Sequence, residues 1–253
     1  MIDASPGSLA FLLDAGLVAG AVNAAAGGGS LLLFPSLLAV GLPPLTANVT
    51  NSIAQWPGYL GIVGGTHREL HGQRRRILLT SAVSVVGSAV GCTLLLVLPR
   101  GVFDAVVPVL VLVASGVFAL QQLIRRWTAP TPGMPDRLAM LLPSVFLAAV
   151  YGGYFTGALG IILLATLSLF AHDSLVRLNA LKGLLSLVVA TVSVVYFAIG
   201  APVDWLAVAV LAPTTLVGGY VGSRIARKSP ERVLRGAVVL LGMTVGVYLL
   251  LTA

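Results

Sequence analysis

Charged residues are scarce in this sequence, since Asp, Glu, Lys and Arg together make up 9% of its 253 residues. Soluble domains carry about 25% charged residues, so this composition excludes an ordinary soluble domain. Hydrophobic residues make up 58% of the chain, and the mean hydropathy is +1.02. Apolar stretches long enough to cross a hydrocarbon core of about 30 Å fill nearly the whole sequence. We therefore predict an all-α polytopic membrane protein with one membrane domain.

Cysteine is equally rare, and a single thiol, that of Cys92, excludes a disulfide within the chain. The sequence has no G-x-x-x-x-G-K-[ST] phosphate-binding loop, so we predict neither an ATP site nor a cofactor. The net charge is +7, but the basic residues lie in short segments between apolar stretches, which is typical of cytoplasmic loops. Nucleic acid is therefore not a predicted partner. Residues 1–8 contain no basic residue, so we expect the first helix to be retained rather than cleaved as a signal peptide.

A run of three glycines and a serine, residues 27–30, has apolar sequence on both sides. Each glycine in a helix costs roughly 1 kcal/mol relative to alanine, so a helix is expected to break here and expose backbone N–H and C=O groups. A break within a bilayer is tolerated where it is buried in protein or lines a watery cavity, which makes this run the first candidate site. The alternative is close helix packing, for which glycine is also suited.

The order of elements repeats along the chain. Moving the second half back by 131 residues places Gly160 on Gly29 and Asn179 on Asn48, and the apolar stretches of the two halves then coincide. We therefore predict two membrane repeats, separated by a proline-rich linker at residues 125–137. The first repeat, residues 1–128, comprises a broken helical hairpin over 9–40 and helices over 47–63, 77–98 and 105–124. The second repeat, residues 129–253, comprises a broken hairpin over 138–171, interrupted at 157–160, and helices over 178–199, 205–225 and 233–251.

The basic residues predict the orientation of the two repeats. Thirteen of the fifteen Lys and Arg residues lie in four segments, residues 64–76, 125–137, 172–177 and 224–235. If each broken hairpin is re-entrant and every other helix is transmembrane, all four segments face the cytoplasm, as juxtamembrane basic residues usually do. Both termini are then outside, and the second repeat is inverted relative to the first. This is the topology of a cell-membrane transporter in which one half rocks against the other.

The residues around the first break resemble the TauE/SafE family of sulfite-exporter-like permeases. The resemblance rests on residues 27–30, Pro35, the turn at 41–43, and Ala47 followed by Thr-Asn-Ser at 50–52. It covers the whole chain in architecture and the first repeat in motif. The second repeat departs from the pattern, with Gly157 and Gly160 in place of a fuller glycine run and Thr166 in place of the proline. The resemblance implies export of small sulfur-containing anions such as sulfite or organosulfonates.

The first break has chemistry suited to an anion. A helix that begins after Gly29 directs free N–H groups and the positive end of its dipole at the break, together with the Ser30 hydroxyl. Asn23 lies about two turns before Ser30 on the opposing leg, and Tyr154 is its equivalent at the 131-residue offset. An interhelical hydrogen bond is the alternative role of Asn23. Around the breaks we predict substrate contacts from Asn23, Gly28, Gly29, Ser30, Tyr154 and Gly160.

Polar residues also crowd the next helix of each repeat. Asn48, Asn51 and Gln55 follow helical spacing along one face. In the second repeat, Lys182 is the only lysine or arginine that lies within a predicted span and outside the four basic segments, and a charge within a span costs about 2.5–3.5 kcal/mol. It either neutralises part of an anion's charge or snorkels to the cytoplasmic interface. The predicted substrate site therefore also includes Asn48, Asn51, Gln55, Asn179 and Lys182.

Two other polar features have open interpretations. Asp14 is the only acidic residue well inside a predicted span, and it is either a proton carrier or a structural partner. His67 and His71 lie four residues apart in an arginine-rich segment, which resembles a metal pair only weakly. We favour a solvated loop or a contact with lipid headgroups, and we predict no metal site.

The function predicted from these residues is secondary transport, with a small sulfur-containing oxyanion exported by alternating access. An interior-negative membrane favours expulsion of an anion by about 2.3 kcal/mol per charge at 100 mV, so export needs no coupling ion, whereas uptake needs protons or sodium. The first alternative is an anion channel that gates at the glycine constriction. The second is a membrane-embedded enzyme that acts on a lipid, although the main interpretation is not an enzyme. The oligomeric state is not predicted.

Overall fold

The computed structural model describes residues 2, 5–127, 136–225 and 231–252, and these residues are helical with short connections. Within the described part of the chain the elements are α1 (Pro6–Ala25), α2 (Ser30–Ala39), α3 (Pro44–Gly65), a 3-10 turn (His67–Leu70), α4 (Arg74–Val97), α5 (Arg100–Ala119), α6 (Gln121–Trp127), α7 (Leu138–Tyr154), α8 (Leu159–Phe170), α9 (Leu175–Gly200), α10 (Trp205–Ile225) and α11 (Glu231–Thr252). Five of these helices are long and apolar enough to cross a membrane. The prediction of an all-α polytopic membrane protein is confirmed. Most of the predicted linker at 125–137 and the centre of the segment at 224–235 lie outside the described residues.

The first helix breaks at the glycine run. Helix α1 ends at Ala25 and α2 begins at Ser30, and the chain turns at Gly27, whose φ of 81° favours glycine. Helix α2 then runs back along α1. At Gly29 the two backbones are so close that a Cβ would lie 2.1 Å from the carbonyl oxygen of Ala19. The segment is therefore a hairpin, and its two legs are unequal because α1 has 20 residues and α2 has 10.

The second hairpin breaks earlier than predicted. The backbone N–H of Arg137 donates to the carbonyl of Phe170 at 2.9 Å, which closes the base of the hairpin formed by α7 and α8. The interruption spans residues 155–158 rather than 157–160, and Gly160 lies in the first turn of α8. The predicted bounds were two residues too late, because α7 already ends at Tyr154 and the chain turns at Ala158, whose φ is 58°. Ala158 is the equivalent of Gly27 at the 131-residue offset, so both breaks turn at the same position of the repeat.

The predicted helix over 105–124 also differs from the structure. Helix α5 begins at Arg100, immediately after Pro99, because proline is compatible with a helix start and its carbonyl accepts from the N–H of Val102 at 2.9 Å. The helix ends at Ala119, and α6 follows as a separate short helix. No residue pattern marks this second boundary, because residues 105–124 are apolar almost throughout.

The helix contacts follow the repeat, because helices that are 131 residues apart make equivalent contacts in the two halves. Helix α1 packs on α10 and α7 packs on α4, while α3 crosses α9 and α5 lies against α11. Glycines bring the paired backbones together, since Gly87 and Gly91 of α4 contact α7 while Gly218 and Gly222 of α10 contact α1. These two glycine pairs are themselves 131 residues apart. The packing is what a duplicated chain is expected to give, whereas the inverted orientation stays a prediction.

The basic segments gather at one end of the molecule. Arg76 pairs with Asp136 and Asp173, which joins three of the four segments, and Gly65 at the end of α3 abuts Ser223 at the end of α10. At the other end, the backbone N–H of Asp204 donates to Thr50 Oγ1 at 3.0 Å, and Asp204 Oδ2 accepts from the N–H of Ile2 at 2.8 Å. This grouping agrees with the predicted topology. Which end faces the cytoplasm stays a prediction.

Candidate functional site

The two breaks touch each other through bare backbone. A Cβ on Gly27 would lie 2.7 Å from the carbonyl carbon of Gly160, so there is no room for a methyl group between the hairpins. Beside this contact, Ser30 Oγ donates to the carbonyl of Thr156 at 3.0 Å. Gly28 also leaves no room for a side chain, because a Cβ there would lie 2.7 Å from the ring of Phe118. The glycine run therefore both breaks the helix and allows close packing, so the two interpretations of the sequence hold together.

Asn23 is the centre of a buried hydrogen-bond network. Its Oδ1 accepts from the backbone N–H of Gly29 at 2.9 Å. This N–H is therefore capped, whereas the sequence predicts a free N–H at this position. Its Nδ2 donates to Gln55 Oε1, and Gln55 Nε2 donates in turn to Asn51 Oδ1 at 2.5 Å. The amide face of α3 thus meets the first break, and these side chains are at most 4% exposed.

Lys182 belongs to the same network. Its Nζ donates to the carbonyl of Asn23 at 3.1 Å, and the residue is 1% exposed. The side chain therefore does not snorkel to the interface, because it reaches from α9 into the end of α1. The Lys182 amino group thus adds an N–H donor to the buried amides around the first break.

The second break is held by the opposite half of the chain. Asn48 Nδ2 donates to the carbonyl of Tyr154 at 3.0 Å, just as Lys182 holds the equivalent carbonyl of Asn23. The Tyr154 ring lies against Phe103, with a centroid distance of 5.9 Å, so this side chain faces α5 rather than the network. Asn179 is half-buried on α9 and takes no part in the hydrogen bonds seen among the described residues. Each hairpin is thus fastened by the long helix of the other repeat.

Sequence reasoning did not select three of the residues that line this centre. Ser52 Oγ donates to the carbonyl of Asn48 at 2.9 Å and lies 2.6 Å from Thr156 Oγ1, so the Thr156 hydroxyl is the donor of that second bond. The buried phenol of Tyr59 faces the side chains of Asn23 and Ser30. Tyr59 continues the i, i+4 spacing of Asn51 and Gln55, which is a signal that the sequence contained. A single hydroxyl such as that of Thr156 carries no comparable signal.

A separate ion cluster lies at the end of the molecule that carries the basic segments. Arg76 binds both oxygens of Asp136 at 2.7 and 2.8 Å and also donates to Asp173 Oδ2 at 2.8 Å, which accepts from Arg177 as well. Burial alone raises the pKa of Asp136, but the hydrogen bonds from Arg76 and from the His172 N–H outweigh it, so this pKa lies below its usual range. The pKa of Asp173 is lowered for the same reason.

The two candidate metal ligands of the sequence are bound to their own loop. His67 Nδ1 lies 2.9 Å from the carbonyl oxygen of Gly64, and His71 Nδ1 lies 3.0 Å from that of Arg68. Both side chains are exposed at the end of the molecule, remote from the breaks.

The architecture, the paired breaks and their buried polar centre can now be compared with known proteins. The family described as "Sulfite exporter TauE/SafE" matches residues 12–249. This chain belongs to the TauE/SafE family. Together with the apolar helices, the match shows a multi-pass membrane transporter.

Curated relatives align with the TauE/SafE chain over nearly their whole length. One from Sinorhizobium sp, named "Probable membrane transporter protein ORF9", is 26% identical over 257 residues, which cover 96% of this chain and 92% of the relative. The protein named "Probable membrane transporter protein YfcA" from Escherichia coli K12 is 25% identical over 258 residues, with coverages of 97% and 91%. A "Probable membrane transporter protein" from Haemophilus influenzae is 28% identical over 241 residues, with coverages of 92% and 91%.

Proposed function

We propose that this TauE/SafE transporter exports a small sulfur-containing oxyanion, such as sulfite or an organosulfonate, across the cell membrane by alternating access. The observation that carries the proposal is the buried contact of the two breaks at Gly27 and Gly160, which is surrounded by hydrogen-bond donors. Broken helices that meet within a bundle are a recurrent binding site of secondary transporters. The family description supports sulfite as the first anion to test.

The chemistry around the breaks favours a negative solute. The ammonium of Lys182 provides one positive charge, and the side-chain amides of Asn23 and Gln55 provide N–H donors. The start of α2 adds the positive end of a helix dipole, which favours anions by about 0.3–1 kcal/mol at exposed sites and by more in buried ones. An oxyanion with several acceptor oxygens matches this set of donors better than a cation does.

In the conformation described here, the donors are used within the protein. Ser30 donates to Thr156, Asn23 donates to Gln55, and their side chains are almost fully buried. Separation of the two hairpins would break the bond between Ser30 and Thr156 and release the Ser30 hydroxyl. A bound anion would replace the lost internal acceptors, so binding and separation of the hairpins favour one another. The structure thus corresponds to a closed stage of the cycle in this proposal.

The direction of transport follows from charge. The basic segments lie together at one end of the molecule, and the positive-inside rule assigns that end to the cytoplasm, with both termini outside. An interior-negative membrane then drives a monoanion outward with about 2.3 kcal/mol per 100 mV, and a dianion with about twice that energy. Export therefore proceeds without any requirement for ATP.

The proposal is tested with purified protein in proteoliposomes that contain sulfite, sulfate, thiosulfate or a short sulfonate. We expect saturable efflux of sulfite or the sulfonate that accelerates at an interior-negative potential. The Lys182→Gln variant is expected to lose most of this efflux, because the positive charge at the site is gone. Ser193→Ala is the matched control, since Ser193 is also buried on α9 but its hydroxyl bonds the carbonyl of Val189 in its own helix.

Three results would contradict the proposal. Uptake or efflux of a cation or a neutral solute in preference to every anion would overturn the substrate class. Flux that does not saturate and shows no exchange between anions would indicate a channel. Chemical conversion of a lipid in the same vesicles would indicate an enzyme.

A further inference from the structure

Asp14 lies in a groove on the surface of the first hairpin. The groove has a volume of about 300 Å³ and separates α1 and α2 from α11 of the other half. Besides Asp14, its lining includes Leu32 and Ser36 of α2 and Leu241 of α11. Asp14 is the only charged residue of this lining, and Ser36 is the only other polar one.

The structural-partner interpretation of Asp14 finds no support in the described residues. Asp14 is exposed on α1, and no hydrogen bond or ion pair of its carboxylate occurs in the part of the chain that the structure describes. The Ser36 hydroxyl donates to the carbonyl of Leu32 at 2.9 Å, so its oxygen remains able to accept a proton from a neutral carboxyl. The groove therefore offers the Asp14 carboxyl group one hydroxyl oxygen and otherwise apolar surroundings.

Among the described side chains, the elements around α1 bring no charged group to the groove that holds Asp14. Helix α2 contains no titratable residue, and α10 meets the opposite face of α1 through Thr214 and Thr215 beside Gly16 and Gly20. On α3, Tyr59 faces Asn23 rather than the groove. On α11, the groove is lined by Leu241, whereas Tyr248 borders a different groove.

We propose that Asp14 is a proton-binding site whose protonation is coupled to movement of the first hairpin, an inference that rests on the proposed function. An ionised carboxylate within hydrocarbon costs about 2.5–3.5 kcal/mol or more, whereas a carboxylic acid avoids most of this cost. The hairpin carries both Asp14 and the anion-site residues Asn23 and Ser30. When the hairpin moves, hydration of the groove changes, and the carboxylate binds or releases one proton. A proton enters the cell as an anion leaves.

The coupling is tested with methanesulfonate, which does not itself titrate near neutral pH, and a pH-sensitive dye trapped in the proteoliposomes. We expect a methanesulfonate gradient to drive an opposite proton movement in the parent protein. Asp14→Asn should abolish the proton signal while anion flux continues, and Asp14→Glu should restore it. Asp104→Asn is the matched control, since Asp104 is also exposed but lies near the start of α5. Proton movement that persists in Asp14→Asn would overturn the inference.

A second measurement is independent of transport. Hydrophobic carbodiimides react with protonated carboxyl groups in apolar surroundings, and mass spectrometry locates the adduct. We expect labelling of Asp14 that decreases as the pH rises, with no labelling of Asp104. Equal labelling of the two residues, or none at Asp14, would overturn the proton site. Because this readout needs no substrate, it decides on Asp14 even if none of the tested anions is transported.

Discussion

Asn23 links more parts of the site than any other side chain described here. Its side chain caps the Gly29 N–H and donates to Gln55, and its backbone carbonyl accepts from Lys182. Asn23→Ala leaves a buried N–H and a buried amide oxygen without partners, and each such group costs about 1–3 kcal/mol. We expect a clear decrease in the thermal unfolding temperature in detergent, measured by intrinsic fluorescence.

Asn179→Ala is the control for this substitution. Asn179 is half-buried and lies outside the network, so we expect its loss to change the unfolding temperature only slightly. An equal decrease in both variants would show that the network does not support the first break.

Substitutions at the two turn positions, Gly27 and Ala158, are expected to have opposite effects on the stability of the protein. Gly27→Ala places a Cβ at a φ of 81° and 2.7 Å from Gly160, so we expect destabilisation well above about 1 kcal/mol. Ala158→Gly relieves a residue held at a φ of 58°, where an alanine costs about 1–2 kcal/mol. The greater freedom of glycine in the unfolded chain offsets about 0.4–1 kcal/mol of this gain. Thermal unfolding should therefore place Gly27→Ala below the parent and Ala158→Gly at or above it, and the reverse order would contradict this account.

Much of the candidate site could be predicted from single residues. Amides and a lysine are so costly in an apolar span that Asn23, Gln55 and Lys182 stand out, and the structure brings them together. Hydroxyls give no such signal, because Ser and Thr readily bond a carbonyl of their own helix, and Thr156 was therefore missed. The repeat offset also gave a wrong prediction for Asn179. The hydrogen bond that Asn48 makes to the opposite hairpin is made in the second repeat by Lys182, a longer side chain one turn after Asn179.

The helices were easier to predict than their ends. A glycine run marks the first break, but the second break turns at an alanine, which propensity alone does not select. Helix α6 was missed because no proline, glycine or charge separates it from α5 in the sequence. Its place is fixed by tertiary contacts, among them the bond from Gln121 Nε2 to the carbonyl of Ala26 at 3.1 Å.

The start of α4 is tied to the base of the second hairpin by the cluster around Arg76. The Arg76 side chain is 13% exposed, so its pairs with Asp136 and Asp173 are intermediate between surface and buried ion pairs. We expect Arg76→Gln to destabilise the protein by about 1–3 kcal/mol. Thermal unfolding of Arg74→Gln provides the control, because Arg74 lies two residues away and is exposed.

The same cluster predicts a dependence on acid. The pKa values of Asp136 and Asp173 are lower in the folded protein than in the unfolded chain, so their contribution is present above an unfolded pKa of about 4. It is lost as the pH falls below that value, through the folded pKa values. Between about pH 5 and pH 3, the unfolding temperature of the parent should therefore fall more steeply than that of Asp136→Asn. Parallel curves would show that the cluster contributes little.

The packing regroups the helices into two units that differ from the halves of the sequence. One unit contains α1, α2, α3 and α10, and the other contains α4, α7, α8 and α9. Gly91 and Gly218 pack within their own units, whereas the contact of Gly27 with Gly160 and the bond from Lys182 to the carbonyl of Asn23 join one unit to the other. We therefore expect transport to move these units against each other, rather than residues 1–128 against 129–253.

Disulfide cross-links distinguish these two descriptions. Ser193→Cys places a second thiol beside Cys92 within one unit, where the present Sγ to Oγ distance is 3.5 Å. Ser52→Cys with Thr156→Cys, in a Cys92→Ala background, joins the two units where the hydroxyl oxygens are 2.6 Å apart. We expect oxidation to stop anion flux only in the second case, with recovery on reduction. Loss of flux in the first case alone would show that α4 and α9 slide past each other instead.

The contact of Gly27 with Gly160 also limits how such a transporter can diversify. Because any side chain at either position would force the hairpins apart, the contact between the two breaks has no side chain that substitution can adjust. In the proposed function, selectivity is then set by the side chains around this contact, in particular Asn51 and Lys182, which occupy equivalent positions of the two repeats. Replacing Lys182 by a neutral side chain is the simplest way to redirect the protein toward a solute of different charge.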